Sequence, residues 1–362
     1  MDQDTKRLHE LGYAQELLRK MTSFSNFAVS FTIISILSGA LTLFAFGMNT
    51  GGPVVMSIGW PLVGLFVTLV GLAMAEVCSS YPTAGGLYYW SAKLAKKNGA
   101  AWSWFTGWFN LLGQVAVTAG IDFGLASFIA AFLKLTINLD PTPLRVIEIY
   151  GLVLLAHGLL NTFGIRLVAL LNDVSVWWHV LGVIIIVTAV VIGADKLQPA
   201  SFVFGEFVNN TGFSSSIYVF LIGLLLAQYT FTGYDASAHM TEETHNAAVA
   251  GPKGMVTSVW LSGIAGYVLL LAVVFAIEPG YDTLTAAGAL ITAPIPILVN
   301  AIGVDGTKVL VGIACVAQFF CGNASLTANS RMLYAFSRDG AVPGHRLWHR
   351  INPRTRTPTN SI

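Results

Sequence analysis

Charged residues are scarce in this chain. Lys, Arg, Asp and Glu together make up 10% of the 362 residues, whereas hydrophobic residues make up 55%. The mean hydropathy is +0.69, which is too high for a soluble domain, because a water-exposed surface needs polar side chains. The scarcity of charge excludes a soluble globular fold and a basic nucleic-acid surface. It indicates an integral membrane protein whose surroundings are the lipid bilayer.

Cysteines and catalytic patterns are also scarce. The three cysteines, Cys78, Cys315 and Cys321, fall in or beside apolar runs, and none lies in a C-x-x-C arrangement. The sequence has no nucleophile beside a base, no cluster with metal-ligand spacing and no phosphate-binding loop. We therefore predict that the protein is not an enzyme and that it has no cofactor or metal.

Long apolar runs dominate what is present. Eight of them reach about 20 residues, the length that crosses a bilayer as a helix. They are residues 24–48, 54–78, 102–133, 146–165, 174–194, 217–240, 256–277 and 308–329. The sequence predicts an all-α membrane protein with eight spanning helices.

The positively charged residues predict the orientation. If the N-terminus is cytoplasmic, only four of the 19 Lys and Arg residues lie outside: Lys134, Arg145, Lys196 and Lys308. The positive-inside rule favours this topology, and we expect the protein in the plasma or cell membrane. The head, residues 1–20, is either an amphipathic helix on the membrane surface or a partly ordered tail.

Two of the apolar runs are interrupted near their middle. Lipid cannot hydrogen-bond free backbone groups, so a broken spanning helix is tolerated only where it faces protein, water or a ligand. The first interruption comprises Ser35, Ile36, Leu37, Ser38 and Gly39, and the second comprises Phe231, Thr232, Gly233, Tyr234 and Asp235. Because runs one and six enter from opposite sides, the breaks meet near mid-membrane, which is typical of the binding site of an inverted-repeat transporter.

The positions of the breaks predict the domain organisation. Runs one to five form a first repeat, and runs six to eight begin a second repeat. The expected segments are a cytoplasmic N-terminal segment (1–23), a first repeat (24–194), an extracytoplasmic loop (195–216), an incomplete second repeat (217–336) and a cytoplasmic loop leading to a missing ninth span (337–362). We expect a transporter that is truncated at its C-terminus.

Four motifs carry a resemblance to a known superfamily. They are ISILSG at 34–39, AEVCSSYPTAGGLYYW at 75–90, GYDASAHMTEET at 233–244 and SRMLYAFSRDG at 330–340. In this order they resemble the amino acid-polyamine-organocation superfamily, and most closely its branch of γ-aminobutyrate, amino acid and choline permeases. The resemblance implies a LeuT-like inverted-repeat fold with about 8 of 12 transmembrane helices present and helices 1 and 6 discontinuous. It also implies secondary active uptake, often coupled to protons or sodium.

The first break and the second break have different expected roles in substrate binding. At the first break, free backbone N–H groups and the positive end of a half-helix suit a substrate carboxylate. At the second, Phe231 could close over the substrate and Tyr234 could offer its ring and hydroxyl. Asp235 either pairs with a substrate ammonium or caps the following half-helix. The alternative at both breaks is ordinary close packing of helices.

Candidates for ion coupling come from position more than from pattern. The resemblance places His179, on the fifth span, where some relatives carry a basic residue near the first break. Asp122 is a further candidate, against an alternative of local pairing with another helix. Ser325 lies where a sodium-binding relative offers hydroxyl oxygens. The spacing does not decide between H⁺ and Na⁺.

Several charged residues fall at the predicted cytoplasmic ends of helices. They are Glu76, Glu242 and Arg331, together with Glu243 and Arg338. They either form the ion pairs of an inner gate or cap individual helices.

The predicted function is secondary transport of amino acids or related small nitrogen compounds such as γ-aminobutyrate, as a proton or sodium symporter. Two alternatives stay open: a non-transporting nutrient sensor on the same fold, and an inactive truncated remnant. The sequence leaves the oligomeric state open.

Overall fold

A computed structural model describes residues 2–163, 165–278 and 291–362, without the side chains at 165 and 166. Within these ranges every regular element is a helix, and only two isolated bridges join extended segments. Eight segments are long and apolar enough to cross a membrane: Ser23–Thr42, Val55–Ser80, Gly99–Ile137, Pro143–Phe163, Leu167–Gly193, Ser216–His239, Ala247–Phe275 and Pro294–Arg338. Each overlaps one predicted run, so the eight spans are confirmed.

In the described ranges, sixteen α-helices build these spans and their connections. They are α1 (Gln3–Glu10), α2 (Ser23–Ile34), α3 (Ile36–Thr42), α4 (Phe44–Asn49), α5 (Trp60–Ser80), α6 (Leu87–Leu94), α7 (Gly99–Ile137), α8 (Pro143–Phe163), α9 (Ile165–Gly193), α10 (Ala200–Gly205), α11 (Ser216–Gly223), α12 (Leu225–Phe231), α13 (Ala236–His239), α14 (Ala247–Phe275), α15 (Pro294–Arg338) and α16 (His345–Trp348).

The helix ends follow local rules. Thr22 and Ser215 cap α2 and α11, because their hydroxyl oxygens accept hydrogen bonds from the backbone N–H groups of Ser25 and Tyr218. Asn138 ends the 39-residue α7 in the left-handed conformation, at φ 57°, which asparagine tolerates better than most residues. A π-helical turn, Val55–Gly59, leads into α5, where Pro61 lies at the start of the α-helix and needs no hydrogen-bond donor.

The spans pack into one bundle. The helix α14 lies along α2 and α5, and α15 lies along α7 and α9. Side chains such as Trp60 and Phe231 fill the interior, whereas Ile192 is 79% exposed on the outside. An apolar exterior is the face that lipid requires, since the hydrocarbon core offers no hydrogen bonds.

The eighth span is longer than predicted. It starts at Pro294 instead of 308 and ends at Arg338 instead of 329, and it is kinked at Gly303, where φ is 73° and ψ is 174°. Asp305, Lys308 and Arg331 lower the hydropathy of its two ends, so the apolar run underestimates the helix. The predicted domain boundaries stay a prediction, and residues 279–290 of the expected second repeat lie outside the described residues.

Candidate functional site

The first break is a single residue. Ser35 adopts a left-handed conformation, with φ 34° and ψ 75°, between α2 and α3. The helix resumes at once, since the N–H groups of Ser38 and Gly39 both donate to the Ser35 carbonyl, at 2.8 and 3.0 Å. The prediction of an interruption from Ser35 to Gly39 is therefore wrong in extent. Ile36 to Gly39 are helical, and the amides of Ser38 and Gly39 are not free for a carboxylate.

Side chains from two other spans close the first break. The Ser35 hydroxyl lies 2.8 Å from His179 Nε2 on α9. The thiol of Cys321 on α15 donates to the carbonyl of Ile33, at 3.1 Å. Gly39 packs against α12, where an added Cβ would lie 2.8 Å from Thr230 Oγ1. All polar groups named here are buried, so this break is satisfied by protein.

The second break is wider. The backbone leaves the helix after Phe231 and returns to it at Ala236, and Gly233 has a φ of 100° that favours glycine. The Asp235 carboxylate makes no capping bond to α13. It lies instead 3.5 Å from His239 Nε2 and accepts from Asn110 Nδ2 at 3.4 Å. The interpretation of Asp235 as a helix cap is therefore wrong.

A cavity of about 200 Å³ adjoins the second break. That volume equals roughly seven water molecules, which suits a small solute. Its wall combines the second break with α7 and α15: Asn110, Gln114, Thr232, Gly233, Asp235 and Ser325 are its main polar or backbone-exposing residues. One carboxylate, two amides and hydroxyls thus converge on one apolar space.

A second, much smaller cavity of about 10 Å³ lies beside the first break. Ser38 and Gly39 line it, and Ile33 and Thr232 line both cavities. A space of that size holds at most one water molecule. Ser38 and Gly39 therefore lie near the larger cavity but do not line it.

Phe231 and Tyr234 do not line either cavity. The Phe231 ring is fully buried against Trp60, with ring centroids 5.0 Å apart. The Tyr234 hydroxyl donates to Met74 Sδ at 3.5 Å, on α5. Both rings point into the protein core in this conformation, which differs from the expectation that they contact a substrate.

Comparison with known proteins agrees with this architecture. A model of the amino acid permease family matches residues 23–362. The chain belongs to the amino acid permease family.

The chain is 43% identical to amino-acid permease BAT1 of Arabidopsis thaliana over 380 residues, covering 100% of this chain and 73% of that protein. It is 43% identical to a BAT1 homolog of Oryza sativa subsp. japonica, covering 98% and 71%. Mhp1, a nucleobase-cation-symport-1 family transporter, is similar in fold, with a TM-score of 0.53, 12% identity, and coverage of 95% of this chain and 70% of that one. The protein is thus a multi-pass membrane transporter and not an enzyme.

Of the permease's coupling candidates, His179 lies beside the first break as expected. Its Nδ1 is 2.8 Å from the Ser175 carbonyl, which can only accept, so Nδ1 carries a hydrogen. Its Nε2 can then accept from the Ser35 hydroxyl. Both ring nitrogens are satisfied when the imidazole is neutral.

Asp122 pairs with His157 across α7 and α8, at 3.2 Å, and both side chains are fully buried. This is the local pairing that stood as the alternative to a coupling role. Ser325 lines the larger cavity, and its hydroxyl lies 2.7 Å from that of Thr118 on α7.

Two buried ion pairs join the C-terminal part of α15 to the turn that follows α13. Arg331 Nε lies 2.7 Å from Glu243 Oε1, and Arg338 Nη2 lies 2.9 Å from Glu242 Oε1. Glu242 also accepts from the Ala84 amide, at 3.0 Å, so the turn after α5 is held by the same carboxylate. Glu76 is exposed and forms no ion pair among the described residues. The expectation that Glu76 joins these ion pairs is therefore wrong, and a gating role of the two pairs stays a prediction.

In the N-terminal segment α1 is helical, and the residues after it pack onto these ion pairs, since the Arg338 guanidinium lies 4.0 Å from the centre of the Tyr13 ring. The Asp4 carboxylate accepts from the amides of Asn246 and Ala247, at 2.7 and 2.9 Å, and so caps α14. The Tyr13 and Tyr88 hydroxyls both donate to Asp339, at 2.9 Å each. Burial and the Asp339 charge raise the pKa of both tyrosines, so they stay protonated donors.

Three polar residues at the site were missed from the sequence: Asn110, Gln114 and His239. The first two stand four residues apart on α7, followed after four more by Thr118, and so share one helix face. A polar stripe in an apolar run was the available signal. His239 lies within the motif at 233–244, and its spacing of four from Asp235, about one helical turn, is the signal that places the two side chains together.

Proposed function

We propose that this permease carries amino acids or related small amines, with γ-aminobutyrate among the candidates, and that it binds them in the cavity at the second break. The observation that carries the proposal is the Asp235 carboxylate in the wall of that cavity. A carboxylate at bilayer depth is costly and normally faces a partner or an aqueous path. A substrate ammonium is a partner of the right charge.

The first break completes the site in a different conformation. The Ser38 and Gly39 side of the small cavity is closed by the contact between Gly39 and Thr230. We propose that separation of α3 from α12 opens this space to the substrate carboxylate. Alternating access would then involve movement of the broken helices against the rest of the bundle.

Ion coupling forms part of the proposal. Ser325 supplies a hydroxyl in the cavity wall, whereas the buried side chains of His179 and Asp122 are already bonded to Ser35 and His157. We further propose that two ion pairs, Glu242 with Arg338 and Arg331 with Glu243, close the cytoplasmic side. We also propose that the protein lies in the plasma membrane with its N-terminus cytoplasmic. A protease-sensitive N-terminal tag that is cut in intact cells would contradict this orientation.

The test begins with binding. A panel of amino acids and amines is scored by thermal stabilisation of the purified chain, because a ligand that binds the folded state raises its stability. The Asp235→Asn variant should weaken binding of the best ligand by about 30-fold or more, since removing a buried charge partner costs several kcal/mol. Asp305→Asn is the matched control, because that carboxylate is 94% exposed.

Uptake into proteoliposomes separates transport from sensing. Accumulation of the labelled ligand supports the permease function, whereas binding without uptake supports a nutrient sensor. Equal affinity in the wild type and Asp235→Asn would remove Asp235 from the site.

A further inference from the structure

His239 is fully buried behind the cavity wall, at the end of α13. Its Nδ1 lies 2.8 Å from the Ala84 carbonyl, in the turn that Glu242 also holds. Its Nε2 lies 3.1 Å from Gln114 Nε2 and 3.5 Å from Asp235 Oδ2. The imidazole therefore connects a cavity-lining carboxylate to the turn after α5.

The contacts identify which nitrogen titrates. A carbonyl only accepts, so Nδ1 keeps its hydrogen and Nε2 gains or loses the proton. In the neutral ring, Nε2 accepts from the Gln114 amide. In the charged ring, Nε2–H donates towards Asp235, and the Gln114 N–H faces another donor.

The Gln114 side-chain amide can form a hydrogen bond with His239 in both the neutral and the charged state of the ring. Its Oε1 has no hydrogen-bond partner among the described residues, although it is buried. Rotation of the amide would present Oε1 to the charged ring as an acceptor. Because Gln114 Nε2 also donates to Asn110, at 3.1 Å, this rotation would reach a second residue of the cavity wall.

The charged side chain that faces His239 is that of Asp235. The helix α2 has no charged residue, and Lys253 on α14 is exposed. The carboxylates that follow α13 are already paired, Glu242 with Arg338 and Glu243 with Arg331. The amides of Asn110 and Gln114 are the polar groups that α7 contributes.

We propose that a proton on His239 and the ammonium group of a substrate compete for Asp235, so that binding of the substrate releases one proton. This inference rests on the proposed function. Charged His239 with Asp235 is neutral overall, and neutral His239 with Asp235 and an ammonium is neutral too. Both cations together would leave a net charge in a low-dielectric site, which is unfavourable.

Calorimetric titration with γ-aminobutyrate and with L-alanine tests the proposal, in two buffers of different ionisation enthalpy at matched pH. The wild-type chain should release about one proton per bound ligand on the acid side. Its affinity should rise by up to about tenfold per pH unit there. His239→Gln should release none and bind with an affinity that does not depend on pH.

His245→Gln is the control, because it alters an exposed histidine that does not line the cavity. It should release protons like the wild type. Absence of proton release in the wild type between about pH 5 and 8, or release that persists in His239→Gln, would overturn the proposal.

A measurement without ligand separates this proposal from the proposed function. If neither compound binds, the proposed function loses its support. Hydrogen–deuterium exchange at Cε1 of His239, followed by mass spectrometry across pH, still reports its titration. The midpoint should move in Asp235→Asn and stay in Asp305→Asn. An unmoved midpoint in Asp235→Asn contradicts the pairing on which the competition depends.

Discussion

The two helix breaks satisfy their backbone polar groups in different ways. At the first break one residue leaves the helix, and His179 and Cys321 bond to groups at its edges. At the second break the residues from 232 to 235 leave the helix, and Thr232, Gly233 and Asp235 border a cavity. Free backbone groups inside a membrane need either a protein partner or a polar space. The first break has protein partners, whereas the second has a cavity beside it as well as a protein partner, the Ser30 hydroxyl, which donates to the Tyr234 carbonyl.

The breaks are also in contact. An added Cβ at Gly233 would overlap Ile33 Cγ2 and lie 3.0 Å from Ile33 Cβ. Ile33 is the next-to-last residue of α2 and lines both cavities. Movement at one break must therefore displace the other.

Gly39→Leu should have the largest effect on this arrangement. An added Cβ already lies 3.1 Å from the Thr230 backbone, so a leucine must push α12 away from α3. We expect ligand binding to be abolished in the thermal-shift panel, while circular dichroism still shows a helical bundle.

Gly158→Leu is the control, because nothing lies within 4 Å of its Cβ position. If Gly39→Leu binds with wild-type affinity, the first break is not part of the site.

Gly233→Ala should have the next largest effect. A left-handed residue with a side chain costs about 1–2 kcal/mol, and contact with Ile33 adds to it. We expect a lower unfolding temperature and an affinity reduced by at least about tenfold.

Gly340→Ala isolates the backbone contribution, because its φ is 78° and its Cβ position is open. Equal destabilisation in both variants would mean that the contact between the breaks contributes nothing.

Replacing the histidine beside each break tests which of the two breaks carries the coupled proton. His239→Gln should remove the pH dependence of uptake, whereas His179→Gln should keep it, because both nitrogens of His179 are satisfied in the neutral ring. Uptake measured across pH in proteoliposomes decides. The reverse result would assign coupling to the first break, as the sequence predicts.

Cys321→Ala should have the smallest effect. It removes one weak S–H donor from the Ile33 carbonyl, so the loss of stability should be at most about 1 kcal/mol. Denaturant or thermal unfolding measures it. A loss several times larger would show that the thiol is essential to the seal at the first break.

Much of the fold follows from local composition. The eight spans and the positions of both breaks were predicted, because bilayer thickness sets the length of an apolar run and small polar residues mark an interruption. The position of His179 beside the first break is also confirmed. The extent of the first break was not, since a helix can resume immediately after one left-handed residue.

The sequence alone determined that this chain crosses the membrane and that its first and sixth spans are broken, because those features depend on neighbouring residues. Only the tertiary structure decided which break opens to a cavity and which is closed. Asn110 meets Asp235 although 125 positions separate them, and Phe231 faces Trp60 rather than the cavity. Such contacts depend on how the spans are positioned and rotated against one another, which no local pattern specifies.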